Sequence, residues 1–291
     1  MKASIEAKLY DQWIDWIKNK LDELFGEENV AHYSNPHDYA IDWFSWNRRV
    51  LSATPRKIEK STAFQCPDSR LNGLKQLEQA IASGKLLSPW LSKTIRNVSY
   101  EDAMLNDWGI HHLHLGEKIS ADGFIERTGE LLFAIFTDIT CYEIGVFKHG
   151  DWSEIDLLEI VNQNWPELLE SRKLKGIIDI SHNPTTKEEI TALRKAHVCY
   201  MLKLSDGSII MPPGGGVMTD GTASDAVLAA DWWGRLFRNA ESKIIEIIQE
   251  NIRKGQLPDD GYNFKLFIDD TRIYALDTRH DIKFKIWEKN A

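Results

Sequence analysis

Apolar residues return at helical spacing through the first 25 positions: Ile5, Leu9, Trp13, Trp16, Ile17, Leu21 and Leu24, with Gly26 as a stop. This predicts an amphipathic helix over 3–25 that packs its Leu9, Trp13, Trp16 and Leu24 side inward. "HYSNPHDYAIDW" then reads as a loop leading into a short structured segment. Asp68 and Ser69 are candidate caps for a helix through Leu71, Leu74, Leu77 and Ile81 that stops at Gly84. Pro89 opens another short helix in "LLSPWLSKTI".

The period changes after residue 109. "IHHLHL", 110–115, alternates as a strand does. "LLFAIFTD" and "CYEIGVFKHG" are two apolar, β-rich runs separated by a short turn at 138–140, which predicts an antiparallel hairpin. Residues 110–115, 131–137 and 141–148 should therefore share one antiparallel sheet. A helix near 153–164, capped by Ser153, should back it. Further on, "KGIIDI" reads as a strand and "TTKEEITALRKAH" as a helix with Thr186 as N-cap. "VCYMLKL" and "SIIMPP" flank Asp206-Gly207, a hairpin signal. A long helix spans about 225–254, and "YNFKLFI", "RIYALDT" and "IKFKIW" form a small meander. The expected class is α+β: a helical N-terminal region (1–95), a central small antiparallel sheet with a backing helix (96–165), and a mixed α/β C-terminal region (166–291).

Composition narrows the classes. The 291 residues are 43% hydrophobic and 27% charged, which is ordinary for a globular protein. No apolar run is long enough to span a bilayer, so no membrane partner is expected. Acidic residues interrupt the apolar positions of the N-terminal stretch, which reads as a helix rather than a secretion signal. Three scattered cysteines, Cys66, Cys141 and Cys199, make neither a disulfide framework nor a zinc set. They suit a reducing cytoplasm, the expected location. A net charge of −9 argues against indiscriminate binding to nucleic acid. The most basic short stretch is "RRVLSATPRKIEK". Its Arg48, Arg49, Arg56 and Lys57 are candidate phosphate contacts, and the plainer reading is a solvated loop and helix start.

The candidate chemistry centres on "GIHHLHLG". On a strand His112 and His114 share one face, about 7 Å apart, while His111 lies on the other face with Leu113 and Leu115. With the leucines in the core, the two imidazoles point to solvent or a cleft. "VFKHGDW" ends the hairpin with Lys148 and His149, and Arg127 precedes the hairpin. Two acid/base groups and two cations are the inventory for metal-independent RNA cleavage. A base deprotonates a 2′-hydroxyl, cations stabilise the charge growing on the phosphoryl oxygens, and an acid protonates the leaving oxygen. The rival is a structural strand with hydrogen-bonded histidines.

The polar connection, the apolar hairpin and its terminal "FKHG" give residues 96–165 a pattern that resembles the core of RelE-type and barnase-like endoribonuclease toxins. The resemblance implies a small antiparallel sheet whose His, Arg and Lys side chains cut RNA without a cofactor, with RNA as partner and an inhibitor or partner protein beside it. The chain departs from the basic toxins: residues 96–150 hold four Lys and Arg against nine Asp and Glu. The expected function is accordingly a metal-independent endoribonuclease or toxin-like phosphodiester-cleaving hydrolase, of a phage- or defence-associated kind, with His112, His114, Arg127, Lys148 and His149 as catalytic residues.

Two alternatives stay open. One is a metal-dependent hydrolase, in which His112 and His114 gain His149, Asp107 or Asp138 as further ligands. The other is a non-enzymatic interaction module that uses some of the eleven tryptophans and an acidic surface. Trp232 and Trp233 cannot both face inward on one helix stripe. The glycine-rich "PPGGGVMTDGTASD" lacks the lysine of a phosphate-cradling loop and reads as a mobile connection or lid.

Overall fold

Apolar period and turn chemistry resolve into the following chain order in the computed structural model, which describes residues 4–269 and 271–289. The first elements are β1 (Ile5–Glu6), α1 (Leu9–Phe25), α2 (His37–Arg49), β2 (Lys57–Lys60), α3 (Leu71–Ala82) and α4 (Ala103–Trp108). Then come β3 (His111–His114), β4 (Glu130–Phe136), β5 (Thr140–Lys148), α5 (Asp156–Asn164), α6 (Glu167–Glu170) and α7 (Lys187–Lys195). The last third holds β6 (Leu202–Lys203), β7 (Ile209–Ile210), α8 (Ser224–Arg253), β8 (Tyr262–Asn263), β9 (Lys265–Ile268), β10 (Arg272–Asp277) and β11 (Ile282–Glu288). The class is α+β, as the patterning implies. Among the described residues no helix is long and apolar enough to cross a membrane.

The chain divides into two compact units, and the division is not the three consecutive segments expected. One unit joins the residues up to 44 with those from 228 onward; the other holds 45–227. The cause is pairing between the chain's two ends, which local periodicity does not show. In the first unit β1 runs parallel to β8. The Gln12 side chain donates to the Phe264 carbonyl (3.0 Å) and accepts from the Leu266 amide (2.9 Å). Trp13 stacks on Phe237 at 5.1 Å. Because residues 5–6 form a strand, α1 starts at Leu9 rather than at residue 3. Leu9, Trp13, Ile17 and Leu21 are buried, but Leu24 is exposed and Trp16 is half-buried, edge-on to Trp43 at 5.7 Å. Of the adjacent pair on α8, Trp232 is exposed and Trp233 half-buried. The meander β9–β10–β11 is antiparallel, as its turns predict.

The second unit is built on a four-stranded sheet in the order β2-β5-β4-β3. β3, β4 and β5 pair antiparallel, as expected; β2 adds itself parallel to β5 at the edge. Both faces are covered. Leu113, Leu115, Leu132, Ala134 and Cys141 meet Leu74, Leu77 and Ile81 of α3 in one cluster. Leu131, Phe133 and Ile144 meet Leu157, Leu158 and Val161 of α5 in the other. His112 pairs opposite Phe133 and His114 opposite Leu131, so the two-residue period sets both on the α5 side.

Several local expectations need correction. Residues 175–180, "KGIIDI", form no strand, and Ile178 is 88% exposed. Neither Asp68 nor Ser69 caps α3, and Ser153 is not the cap of α5: its hydroxyl accepts from Thr191 and Arg194 instead. The Thr186–Glu189 capping box of α7 and the β6–β7 hairpin are present as read.

Candidate functional site

On the α5 side of the sheet, beside the end of β3, a cleft of about 450 Å³ opens in the second unit. Its lining draws on separate places in the chain: Ser92 and Thr94, Tyr100, Asp102 and Met104 around the start of α4, His112 on β3, Arg127 from the polar connection, and His149, Trp152 and Ser153 after β5. Thr191, Arg194 and Lys195 of α7 close it. Three of the five expected catalytic residues, His112, Arg127 and His149, are thus brought together.

Trp152 is the spacer between the imidazoles. One stack sets it nearly parallel to buried Phe133 at 5.6 Å, and the rings of His112 and His149 each lie 4.8 Å from it. Asp102 is the N-cap of α4, its Oδ1 accepting from the Leu105 amide at 3.1 Å. Its other oxygen stands 3.7 Å from His112 Nδ1. Burial lowers the His112 pKa. Asp102 opposes that shift, and the positive fields of His149 and Arg127 add to it. Neutral His112 is therefore the resting form at neutral pH. Arg127 is exposed and makes no hydrogen bond or ion pair among the described residues.

His114 is a correction. It shares the face of His112, but the polar connection closes over it: the Thr128 amide donates to its Nδ1 (3.3 Å), and it is 2% exposed. Burial, with Arg127 nearby, pushes its pKa down to about 4. It is a packed neutral histidine and does not line the cleft. His111 is likewise structural: its Nε2 donates to the Arg48 carbonyl (3.1 Å), its ring meets Phe136 edge-on, and burial brings it to about 4.

Lys148 is a second correction. It follows Phe147, whose ring packs on Phe133, so strand alternation turns Lys148 to the opposite face. It lies exposed outside the cleft.

The basic stretch is a third correction. Arg49 is buried and donates to the carbonyls of Thr94, Asn97 and Val98; Arg56 is buried and donates to those of Ser52, Thr54 and Thr137. Arg48 donates to Asn106 Oδ1 and the Gly214 carbonyl. Lys57 is exposed but paired with Glu59 at 2.7 Å. Arginines close otherwise unpaired carbonyls here, so this stretch is scaffold and not a patch for phosphates.

Two features of the site escape a sequence reading. The first is Arg194. Its Nε donates to Asp107 Oδ2 (2.7 Å), its Nη1 to the Trp152 carbonyl and Ser153 Oγ, and its guanidinium lies 4.3 Å over the Trp108 ring. Tyr200 also donates to Asp107, and burial raises the Asp107 carboxyl against the pull of Arg194. Only its place in the basic last turn of a capped helix hints at it. The second is the glycine-rich loop, which is packed and not a lid. The Gly214 and Gly216 amides donate to the carbonyls of Asp107 and Asn106 at 2.8 and 2.9 Å. A Cβ at Gly214 would lie 2.2 Å from the Leu105 carbonyl oxygen. The glycines let this loop press against α4, which carries the Asp102 cap.

Asp107 is engaged by Arg194 and Tyr200, and His114 by Thr128, which removes both from a metal set. Among the described residues no group of three or more His, Cys, Asp or Glu could hold a metal ion. No family model, curated protein or solved structure matches this chain, so the toxin-like pattern of residues 96–165 rests on the sequence alone.

Proposed function

We propose that the cleft cleaves phosphodiester bonds of RNA without a metal. The observation that carries this reading is the set His112, His149, Arg127 and Asp102 on one 450 Å³ cleft. Asp102 favours the proton on Nδ1 of His112, which leaves Nε2 to take the proton of a 2′-hydroxyl. The alkoxide attacks the adjacent phosphorus, a new P–O bond forms, and the bond to the 5′-oxygen breaks. His149, protonated, gives its proton to that oxygen. The products are a 2′,3′-cyclic phosphate and a free 5′-hydroxyl. Arg127 faces the phosphoryl oxygens, where charge develops. Asp102 acts through His112 and is a positioning residue.

Purified protein incubated with single-stranded RNA should cleave it equally with and without chelator. His112→Ala and His149→Ala should each lower the rate by about 10²–10⁴, and Lys148→Ala should leave it unchanged. Chelator-sensitive cleavage, or full activity in both histidine variants, rejects the assignment. A second reading, a protein-binding module, is favoured by one observation: Ile177, Ile178, Val198, Met201, Met211 and Met218 of the second unit are all exposed. Absence of any RNA cleavage would favour it.

A further inference from the structure

The side chain of Arg194 is 7% exposed, and two of its three nitrogens are taken by Asp107, Trp152 and Ser153. The third, Nη2, is buried and has no partner. A buried guanidinium nitrogen left unpaired is costly, and such orphans are rare unless a ligand or ion completes them. This one belongs to a residue that lines the cleft. On the same cleft, Nδ1 of His112 is also buried without a hydrogen bond, but the Asp102 carboxylate stands 3.7 Å from it. The remaining charges on the lining are Arg127 and Lys195 against Asp102, while Asp107 balances Arg194. A vacant guanidinium N–H beside a positive surplus calls for an anion.

We infer that the Arg194 end of this cleft is an anion subsite, in which Nη2 of Arg194 donates to an oxygen of a bound phosphate group that Arg127 and Lys195 also face. The inference rests on the nuclease reading only for taking the anion as a phosphate. It gives the phosphoryl oxygens a buried donor held in place before the ligand arrives. Arg127 and Lys195, both exposed, supply charge but no fixed geometry. Tyr100 and Trp152 line the same cleft and leave room for the organic part of a phosphate ester.

The test uses the full chain and inorganic phosphate, with chloride at matched ionic strength as control. The side-chain Nε–Hε signal of Arg194 and the ring signals of His112 are followed by NMR. Saturable shifts of both, with phosphate and not with chloride, are expected. Arg194→Gln alone leaves the buried Asp107 carboxylate without a countercharge, so the variant for affinity is the charge-balanced pair Arg194→Gln with Asp107→Asn. It should bind phosphate at least about tenfold more weakly. Where that pair fails to fold, the wild-type titration decides by itself. An Arg194 signal that stays put at saturating phosphate overturns the site, as does a folded double variant with unchanged affinity. An RNA arm separates the two ideas. Phosphate binding at Arg194 without RNA cleavage removes the nuclease and keeps the subsite. Cleavage that phosphate does not inhibit, and that the double variant retains, removes the subsite and keeps the nuclease.

Discussion

His114 and Glu143 are both buried ionisable side chains held in the neutral form, and they tilt the stability of the second unit in opposite directions with pH. His114 titrates near 4 when folded, below its unfolded value of 6.5, so the unfolded chain binds the extra proton between those values. Its contribution is complete above pH 6.5 and lost as pH falls towards 4, a change of about 3 kcal/mol. Glu143 is fully buried beside Glu78, with Lys60 at 3.8 Å, and burial first, then Glu78, push its pKa up to about 8. Here the folded chain keeps a proton that the unfolded chain loses, so stability falls as pH rises from 4.5 to 8. Urea melts across pH 4–9 should show wild-type stability declining on both sides. His114→Leu should make the acid limb shallower, the rest of it belonging to His111, which burial also brings to about 4. Glu143→Gln should flatten the alkaline limb and stabilise at pH 8 by about 2–4 kcal/mol. Limbs unchanged in these variants would place the titration on other groups.

Among the elements, those specified by local pattern were legible and those specified by distant partners were not. The alternation of 110–115 sorts Leu113 and Leu115 from His112 and His114 before any partner is known, and the Thr186–Glu189 box marks α7 through its own hydrogen bonds. The same alternation places His112 on the cleft face. It says nothing of Thr128 folding over His114, a contact across 14 positions. β2 is four residues of mixed charge, a strand only because β5 offers an edge. "KGIIDI" has strand-like residues but pairs with none of the described strands. α4 is six residues long, too short for a period, and stands by the Asp102 cap and the glycine-rich loop behind it. That dependence is testable. Gly214→Ala would drive a methyl to 2.2 Å from the Leu105 carbonyl oxygen and 2.6 Å from that of Asn106. Both are backbone atoms that cannot swing aside. The substitution should cost about 2–4 kcal/mol and, by shifting α4, lower RNA cleavage through the Asp102–His112 pair. Gly129→Ala, which meets nothing within 4 Å and, like Gly214, has no positive φ, is the control for adding a methyl group alone. Equal losses in thermal unfolding for the two variants would mean that close packing against α4 is not what Gly214 provides.

At the scale of the whole molecule, the proposed nuclease activity meets an electrostatic problem in the net charge of −9, which the disposition of the cations makes sharper. Arg49 and Arg56 spend their donors on backbone carbonyls, Lys57 on Glu59, and Lys148 lies off the cleft face. On the cleft itself the cations are a small set, Arg127 and Lys195 with buried Arg194. On the proposed reading, binding to RNA would be local, held by two or three phosphate contacts rather than by a basic surface. Each contact displaces counterions, so the slope of log affinity against log salt counts them, at roughly −0.7 per contact for a single strand. A slope of about −2 is expected for a short single-stranded RNA bound to the His112→Ala variant, measured by fluorescence anisotropy between 50 and 200 mM salt. Arg127→Ala should make it shallower by about one contact, and the Arg49 and Arg56 side chains should not enter it. A slope near −6 would require a broad basic face that this distribution of arginines does not provide, and would move RNA recognition away from the cleft.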